Sequence, residues 1–416
     1  MGACRTGKMS KSKTPSQLIW KFLSGMGLAT FLLVLLGIQT WLATLEMVDA
    51  GLLATLQKYF HWTSWYVLAQ VPVPYFDRHL VVPMPGGYWV CAFLLLNMTL
   101  GGIIRIRKSW KTAGVVVAHF GIIFMVAAGG VAQLFEERGV MFLFEGEKSD
   151  YAVSLTDPTI EVLEIKEGKV VGEVHVAGEP ELRGLGRGDS RTVRFAGLPI
   201  DLELTGWMRN ASVVEAGPDA GNAAIDGWTL RELPVRPEGE LNAPACYARV
   251  VYGDGSKGSP FILAVPQPTS GLEAFAPVTV EADGRKFAVR MVKQTIPVPY
   301  VVQLDDAIPV YFPNSTRPKS FRSKIRRIDE EEVPVEIFMN EPMRRGGYTF
   351  FQRTMSSGPQ QTGGPEFSGF EVVSNPADQW PKWSLWVVAT GMGVHFLMKL
   401  FQFILGSTKP RTPSTP

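Results

Sequence analysis

Four stretches of the chain are apolar for about twenty residues each, at 26–45, 88–106, 113–135 and 383–405. Twenty helical residues rising 1.5 Å each cover the roughly 30 Å of a bilayer's hydrocarbon. Four transmembrane helices are therefore predicted. Between the third and the fourth, across 136–382, the apolar period shortens to two. Residues 278–281 and 286–292 flank Asp283-Gly284, a pair that supplies the positive φ of a tight turn, so they predict a hairpin. Residues 192–195 and 200–205 flank a second turn at Gly197. Residues 246–252 alternate and end in Gly253-Asp254-Gly255. Residues 333–340 and 348–353 bracket Arg344-Arg345-Gly346-Gly347, a third hairpin candidate. Helical periodicity is nearly absent there, and the Gly-, Pro- and Asp-rich 216–240 reads as a loop. The predicted fold class is an integral membrane protein: four transmembrane α-helices, with a large all-β, sandwich-like domain in one or two units between helices 3 and 4.

A mean hydropathy of +0.09 averages these two kinds of chain and describes neither. Lys and Arg near the span ends set the orientation. The tail 1–25 is basic (Arg5, Lys8, Lys11, Lys13, Lys21), as are the connector 107–112 with its neighbour Arg105, and the flank of the last span (Lys399, Lys409, Arg411). All three belong in the cytoplasm, together with the tail 406–416. The aromatic loop 46–87 and the β-rich 136–382 then lie outside it, on the cell (inner or plasma) membrane. The first span also suits a signal peptide. Its length, with no small-x-small site before Glu46, favours an uncleaved anchor. A net charge of +2 and the lack of a basic stripe interleaved with aromatics argue against nucleic acid.

The chemistry on offer is sparse. Of three cysteines, Cys4 is cytoplasmic, Cys91 is within a span and Cys246 is alone outside. There is no CxxC for thiol exchange and no CxxCH for covalent haem. GLGRGD (184–189) has the glycines of a phosphate loop, but a strand-like TVRF follows it, so it reads as a turn. Asp305-Asp306 and Glu330-Glu331-Glu332 read as solvated surface. His175 is the only histidine of the β domain, too few for a histidine metal cluster. In the loop 46–87, Tyr59, Phe60, Trp62, Trp65, Tyr66, Tyr75 and Phe76 read as an interfacial anchor. His61 and His79 there read as solvent-exposed.

The membrane histidines stand out. His119 lies inside the third span and His395 inside the fourth. An ionisable group at that depth is costly unless it pairs, lines a cavity or binds something. Imidazole is also the commonest protein ligand of haem iron. His119 is eight residues past Lys111, roughly 12 Å along a helix, and His395 is one turn before Lys399. Both fall at mid-depth or in the cytoplasmic half. Helix packing, a proton path and haem ligation stay open for His119 on spacing alone.

The order of parts resembles the ResB-like (CcsB-type) proteins of system II cytochrome c biogenesis. The carrying strings are PGGYWVCAFLLLNMTLGG (85–102), VVVAHFGIIFMVAAGG (115–130), ERGVMFLFEGEKSDY (137–151), and PKSFRSKIR followed by VEIFMNEPMRRGGYTFFQ (318–352), then FEVVSNP before the last span. Nothing is recognisable over 174–276. The resemblance implies an accessory subunit, without a catalytic cluster of its own, of a cytochrome c synthase. It implies work beside a Trp-rich CcsA/ResC-type membrane protein, moving or holding haem b and supporting its attachment to apocytochrome c outside the cytoplasm. It implies His119 as an axial haem ligand, with the haem held transiently and shared with the partner; His395 is the weaker candidate. An exposed strand edge of the β domain would dock apocytochrome or the partner. Two other readings remain: a b-type membrane cytochrome with haem held between His119 and His395, and a membrane-anchored β-domain scaffold without haem.

Overall fold

The computed structural model describes residues 14–72, 79–182, 184–186, 188–217, 224–236, 239–266, 277–315, 318–328, 334–355 and 366–407. The basic residues 5–13, Cys4, Tyr75, Phe76, the triplet 330–332, Lys409 and Arg411 lie outside them, as does the side chain of His79. The chain divides into two compact units, Met1–Glu136 with Asn375–Pro416, and Glu137–Ser374.

The first unit is helical. It comprises α1 (Pro15–Leu23), α2 (Met26–Ala50), α3 (Leu52–Phe60), α4 (Gly87–Met98), α5 (Trp110–Phe135) and α6 (Trp380–Ser407). Among the described residues four stretches are long and apolar enough to cross a membrane: Met26–Ala50, Gly87–Ile104, Trp110–Phe135 and Trp380–Leu405. Each contains its predicted span or nearly so, and the ends move for local reasons. α5 begins early because Ser109 and Thr112 close a capping box. The second span ends in a π-helical turn, Thr99–Ile104. Along α5 and α6, small residues replace side-chain packing. A Cβ built on Gly114 would lie 2.5 Å from the Gly391 carbonyl oxygen, and one on Gly391 would lie 2.5 Å from the Ala118 nitrogen. The two backbones therefore touch, as membrane helices with small-residue faces do.

The described residues of the loop 46–87 are folded, with Trp62, Trp65 and Tyr66 exposed. After α3 it makes the hairpin β1 (Tyr66–Pro72) and β2 (His79–Pro85). Val67, Ala69 and Met84 bury against Tyr59 and against Leu42 and Ala43 of α2. Glu46 ties the layer together: it accepts from Lys58, from Tyr59 Oη (2.8 Å) and from the Gln70 amide (3.3 Å). His61, expected to be solvent-exposed, is half-buried, with Nδ1 2.6 Å from Thr63 Oγ1.

The second unit is β-rich, as predicted. β3 (Glu137–Phe144), β4 (Lys148–Lys166), β5 (Lys169–Ala177), β12 (Val278–Ala282), β13 (Arg285–Tyr311), β14 (Pro318–Arg327), β15 (Val335–Phe338), β16 (Met343–Arg345), β17 (Tyr348–Met355) and β18 (Phe367–Ser374) form one antiparallel sheet. Its order is β15-β14-β13-β4-β3-β18-β17-β16, with β12 beside β13 and β5 beside β4. β6 (Ser190–Arg194), β7 (Ile200–Met208), β10 (Ala245–Tyr252) and β11 (Phe261–Ala264) form a second sheet, and β8 (Ala211–Glu215) pairs with β9 (Trp228–Glu232).

One part of this unit is a sandwich. Ile160 and Val162 of β4 and Phe287, Val289 and Met291 of β13 face Leu202, Leu204, Ala248 and Val250 of the second sheet. The register then slips between Lys293 and Thr295 and again between Pro297 and Val302, which bends β13. Beyond the bend the large sheet curls around its own core of Leu304, Ile325, Ile337, Phe350 and Phe370. Ser323 of β14 accordingly lies 2.6 Å from the Ser368 hydroxyl of β18 and donates to Gln352 of β17 (2.7 Å), two strands far from it in the sheet order.

The Asp283-Gly284 and Gly197 hairpins form as predicted, with Asp283 at φ 52° and Gly284 at φ 72°. Two readings change. The strand expected at 333–340 pairs with β14, and the Gly346-Gly347 turn instead joins the short β16 to β17. Residues 216–240 are not wholly loop, because β9 lies there and the Tyr247 hydroxyl receives the Leu230 amide at 3.0 Å.

Candidate functional site

His119 sits on α5 one turn after Val115. Its Nδ1 lies 2.8 Å from the Val115 carbonyl oxygen. A carbonyl only accepts, so Nδ1 carries a proton; in the neutral ring the lone pair is then on Nε2, the tautomer a metal ligand needs. Nε2 makes no hydrogen bond among the described residues.

The ring borders a cavity of about 710 Å³, lined by Lys21, Ser24, Gly25, Met26, Ala29, Asn97, Met98, Gly101, Gly102, Arg105, Ile106, Val115 and His119. Cavities of roughly 300–1,000 Å³ suit small molecules and cofactors. The sequence builds this one from two interruptions. The first is the break between α1 and α2 at Ser24–Gly25. Asn97, 4% exposed, donates from Nδ2 to the Leu23 carbonyl oxygen (2.6 Å), left free there, and to that of Gly25 (3.1 Å), which also receives the Ala29 amide. The second is the π turn, a feature that often marks functional sites. It carries Gly101 against the Ser24 backbone and Gly102 against the His119 ring.

His395 does not line this cavity. It packs at Gly114, where a Cβ would lie 2.9 Å from the His395 Cβ. Gly114 and His119 are five residues apart, about 140° around the helix. The two histidines thus address different flanks of α5. Buried His395 Nδ1 has no hydrogen-bond partner among the described residues.

The β unit's candidates resolve into structure. Asp305 pairs with Arg326 (2.8 Å) and Asp306 with Lys324 (3.2 Å) across β13 and β14. Asp189 accepts from the Gly186 amide (2.8 Å), closing the turn expected of GLGRGD, whose Arg187 lies outside the described residues. Cys246 is fully buried, and burial pushes its thiol up to about 12. Lys293 is pushed below the usual lysine range by burial, against the pull of Glu240. Its Nζ donates to the Leu155 (2.9 Å) and Glu240 (2.7 Å) carbonyl oxygens, so it is a satisfied structural cation. Among the described residues no three His, Cys, Asp or Glu side chains gather as a metal site. A roomier hollow of about 890 Å³ runs along β8 and β9 and carries no histidine.

A haem needs an imidazole with a free lone pair, an apolar slot of its own volume and relief for its carboxylates. His119, the walls of Met26, Ala29, Met98, Ile106 and Val115, and the cations Lys21 and Arg105 fit those needs. Sequence reading found His119. It read Lys21 and Arg105 only as markers of sidedness and passed over Asn97; the Gly101-Gly102 pair was the available signal. The model of the ResB-like family matches residues 273–364, which contain two of the strings resembling that family, PKSFRSKIR and VEIFMNEPMRRGGYTFFQ. No curated protein matches the chain.

Proposed function

We propose, from the ResB-like match and the His119 cavity together, that this chain is a membrane subunit of cytochrome c biogenesis that holds haem beside His119. The match supports a part in cytochrome c biogenesis broadly. The observation that carries the haem reading is the His119 Nδ1–Val115 hydrogen bond beside an apolar cavity, which leaves Nε2 as the ligand atom. Haem supplies the group to be attached to apocytochrome c. Val115 holds the imidazole tautomer, the apolar wall keeps water from the ring face, and the π turn leaves the room in which His119 stands. A further ligand to the haem iron would come from a CcsA/ResC-type partner, since His395 lies off this cavity. The large β unit would meet apocytochrome c or that partner on the far side of the membrane.

The test is an absorbance spectrum of the chain purified with its partner, wild type against His119→Ala. The variant is expected to lose most of its haem while its helix content and melting temperature stay near wild type. Equal haem in both would remove His119 from the site.

A further inference from the structure

The cavity beside His119 is electrically one-sided. Lys21 and Arg105 are among its lining residues, and no carboxylate is, among the described residues. Arg105 is aimed before any ligand arrives. Its Nη1 donates to the Ser24 carbonyl oxygen (3.3 Å) and hydroxyl (3.1 Å), while the Ser24 hydroxyl donates to the Trp20 carbonyl oxygen (2.7 Å). A guanidinium has five donors, so most remain for a ligand. The Lys21 ammonium has no protein partner among the described residues. Lys21 and Arg105, both exposed, line the same apolar pocket, and an anion lodged there could take bonds from both.

We infer that Lys21 and Arg105 clamp the carboxylates of a dicarboxylate tetrapyrrole whose ring lies against the apolar wall. This rests on the reading of His119 as the haem ligand. The clamp adds orientation, because charge-assisted bonds from a fixed guanidinium set which edge of the ring points outward. The cavity therefore selects the free acid over its ester, whatever occupies the ring centre.

The experiment uses the full chain in nanodiscs and two metal-free probes, protoporphyrin IX and its dimethyl ester, followed by fluorescence. Neither probe needs an axial ligand. Wild type is expected to bind the free acid about tenfold more tightly than the ester. Lys21→Gln with Arg105→Gln is expected to bind both alike, at the affinity wild type shows for the ester. Equal affinities in wild type overturn the clamp. So does equal weakening of both probes in the double variant, which would report a damaged pocket. Iron protoporphyrin with His119→Ala separates the two claims. A preference for the free acid with an iron spectrum unchanged by the substitution sinks the axial-ligand reading and leaves the clamp. No binding of any probe sinks both.

Discussion

Gly102 backs onto the His119 ring so closely that a Cβ there would overlap Cδ2 and lie 3.2 Å from Nε2. The contact ties the π turn to the imidazole. Gly102→Ala is expected to push the ring off its position at an overpacking cost of about 1–3 kcal/mol. Haem retained per chain should fall toward the level of His119→Ala. Gly129→Ala, on the same helix as His119 but with nothing within 4 Å of the added Cβ, should keep wild-type haem. Haem content by pyridine haemochrome, set beside thermal melting, distinguishes the two variants. Full haem in Gly102→Ala would show that the ring has room to move.

Glu366 is held above the usual carboxylate range by burial first, and then by the neighbouring charges of Glu145 and Asp306. The native state therefore keeps a proton that the unfolded chain has already released between pH 4.5 and the raised value. Stability from this group is present below that window and is lost as pH rises through it. Glu366→Gln carries no such proton. It should flatten the fall in unfolding midpoint across weakly acid pH and leave the β unit more resistant than wild type at neutral pH. Urea titrations at a series of pH values read both effects. Parallel curves for the two proteins would contradict the assignment.

Cys246 is sealed between the sheets, on β10 in the sandwich core, with its thiol pushed up to about 12. A thiolate is the reactive form, and at neutral pH almost none exists here. A maleimide should not label Cys246 in the native chain and should label it fully in denaturant. Mass spectrometry after digestion locates the label. Rapid native labelling would mean that the second sheet opens readily. Cys246→Ala should cost about 1–3 kcal/mol through the cavity it leaves.

The parts of this fold that were legible beforehand are those set by local rules. Asp283 and Gly284 declare their hairpin because only certain residues adopt positive φ at two successive positions. The spans declare themselves through unbroken apolar length. What could not be read depends on distant partners. β9 forms within a Gly- and Pro-rich stretch because Tyr247 and β8 receive it. β13 runs for 27 residues through Pro297 and Pro299, which local rules read as breakers, because bulges there absorb the prolines in a bend. His119 was visible as an anomaly. Its cavity was not, since the walls come from α1, α2 and the π turn, joined by contacts across more than seventy positions.

Asn97 makes one of those reaches, from inside α4 to the break between α1 and α2. Interhelical hydrogen bonds of this sort are each worth about 0.6 kcal/mol, rising to roughly 1.7 in the best cases. Asn97→Leu removes two of them and strands the Leu23 carbonyl, while that of Gly25 keeps the Ala29 amide, so a loss of about 1–3 kcal/mol is expected. The functional effect should exceed the loss of stability. With the break untied, α1 carries Lys21 away from the cavity and Ser24 no longer holds Arg105 in place. Retained haem should fall severalfold at a temperature where the variant is still folded. Asn97→Gln, whose amide overshoots by a methylene, should recover little. Haem occupancy measured alongside melting temperature makes the distinction. Stability lost with haem occupancy unchanged would mean that the cavity does not depend on the tie.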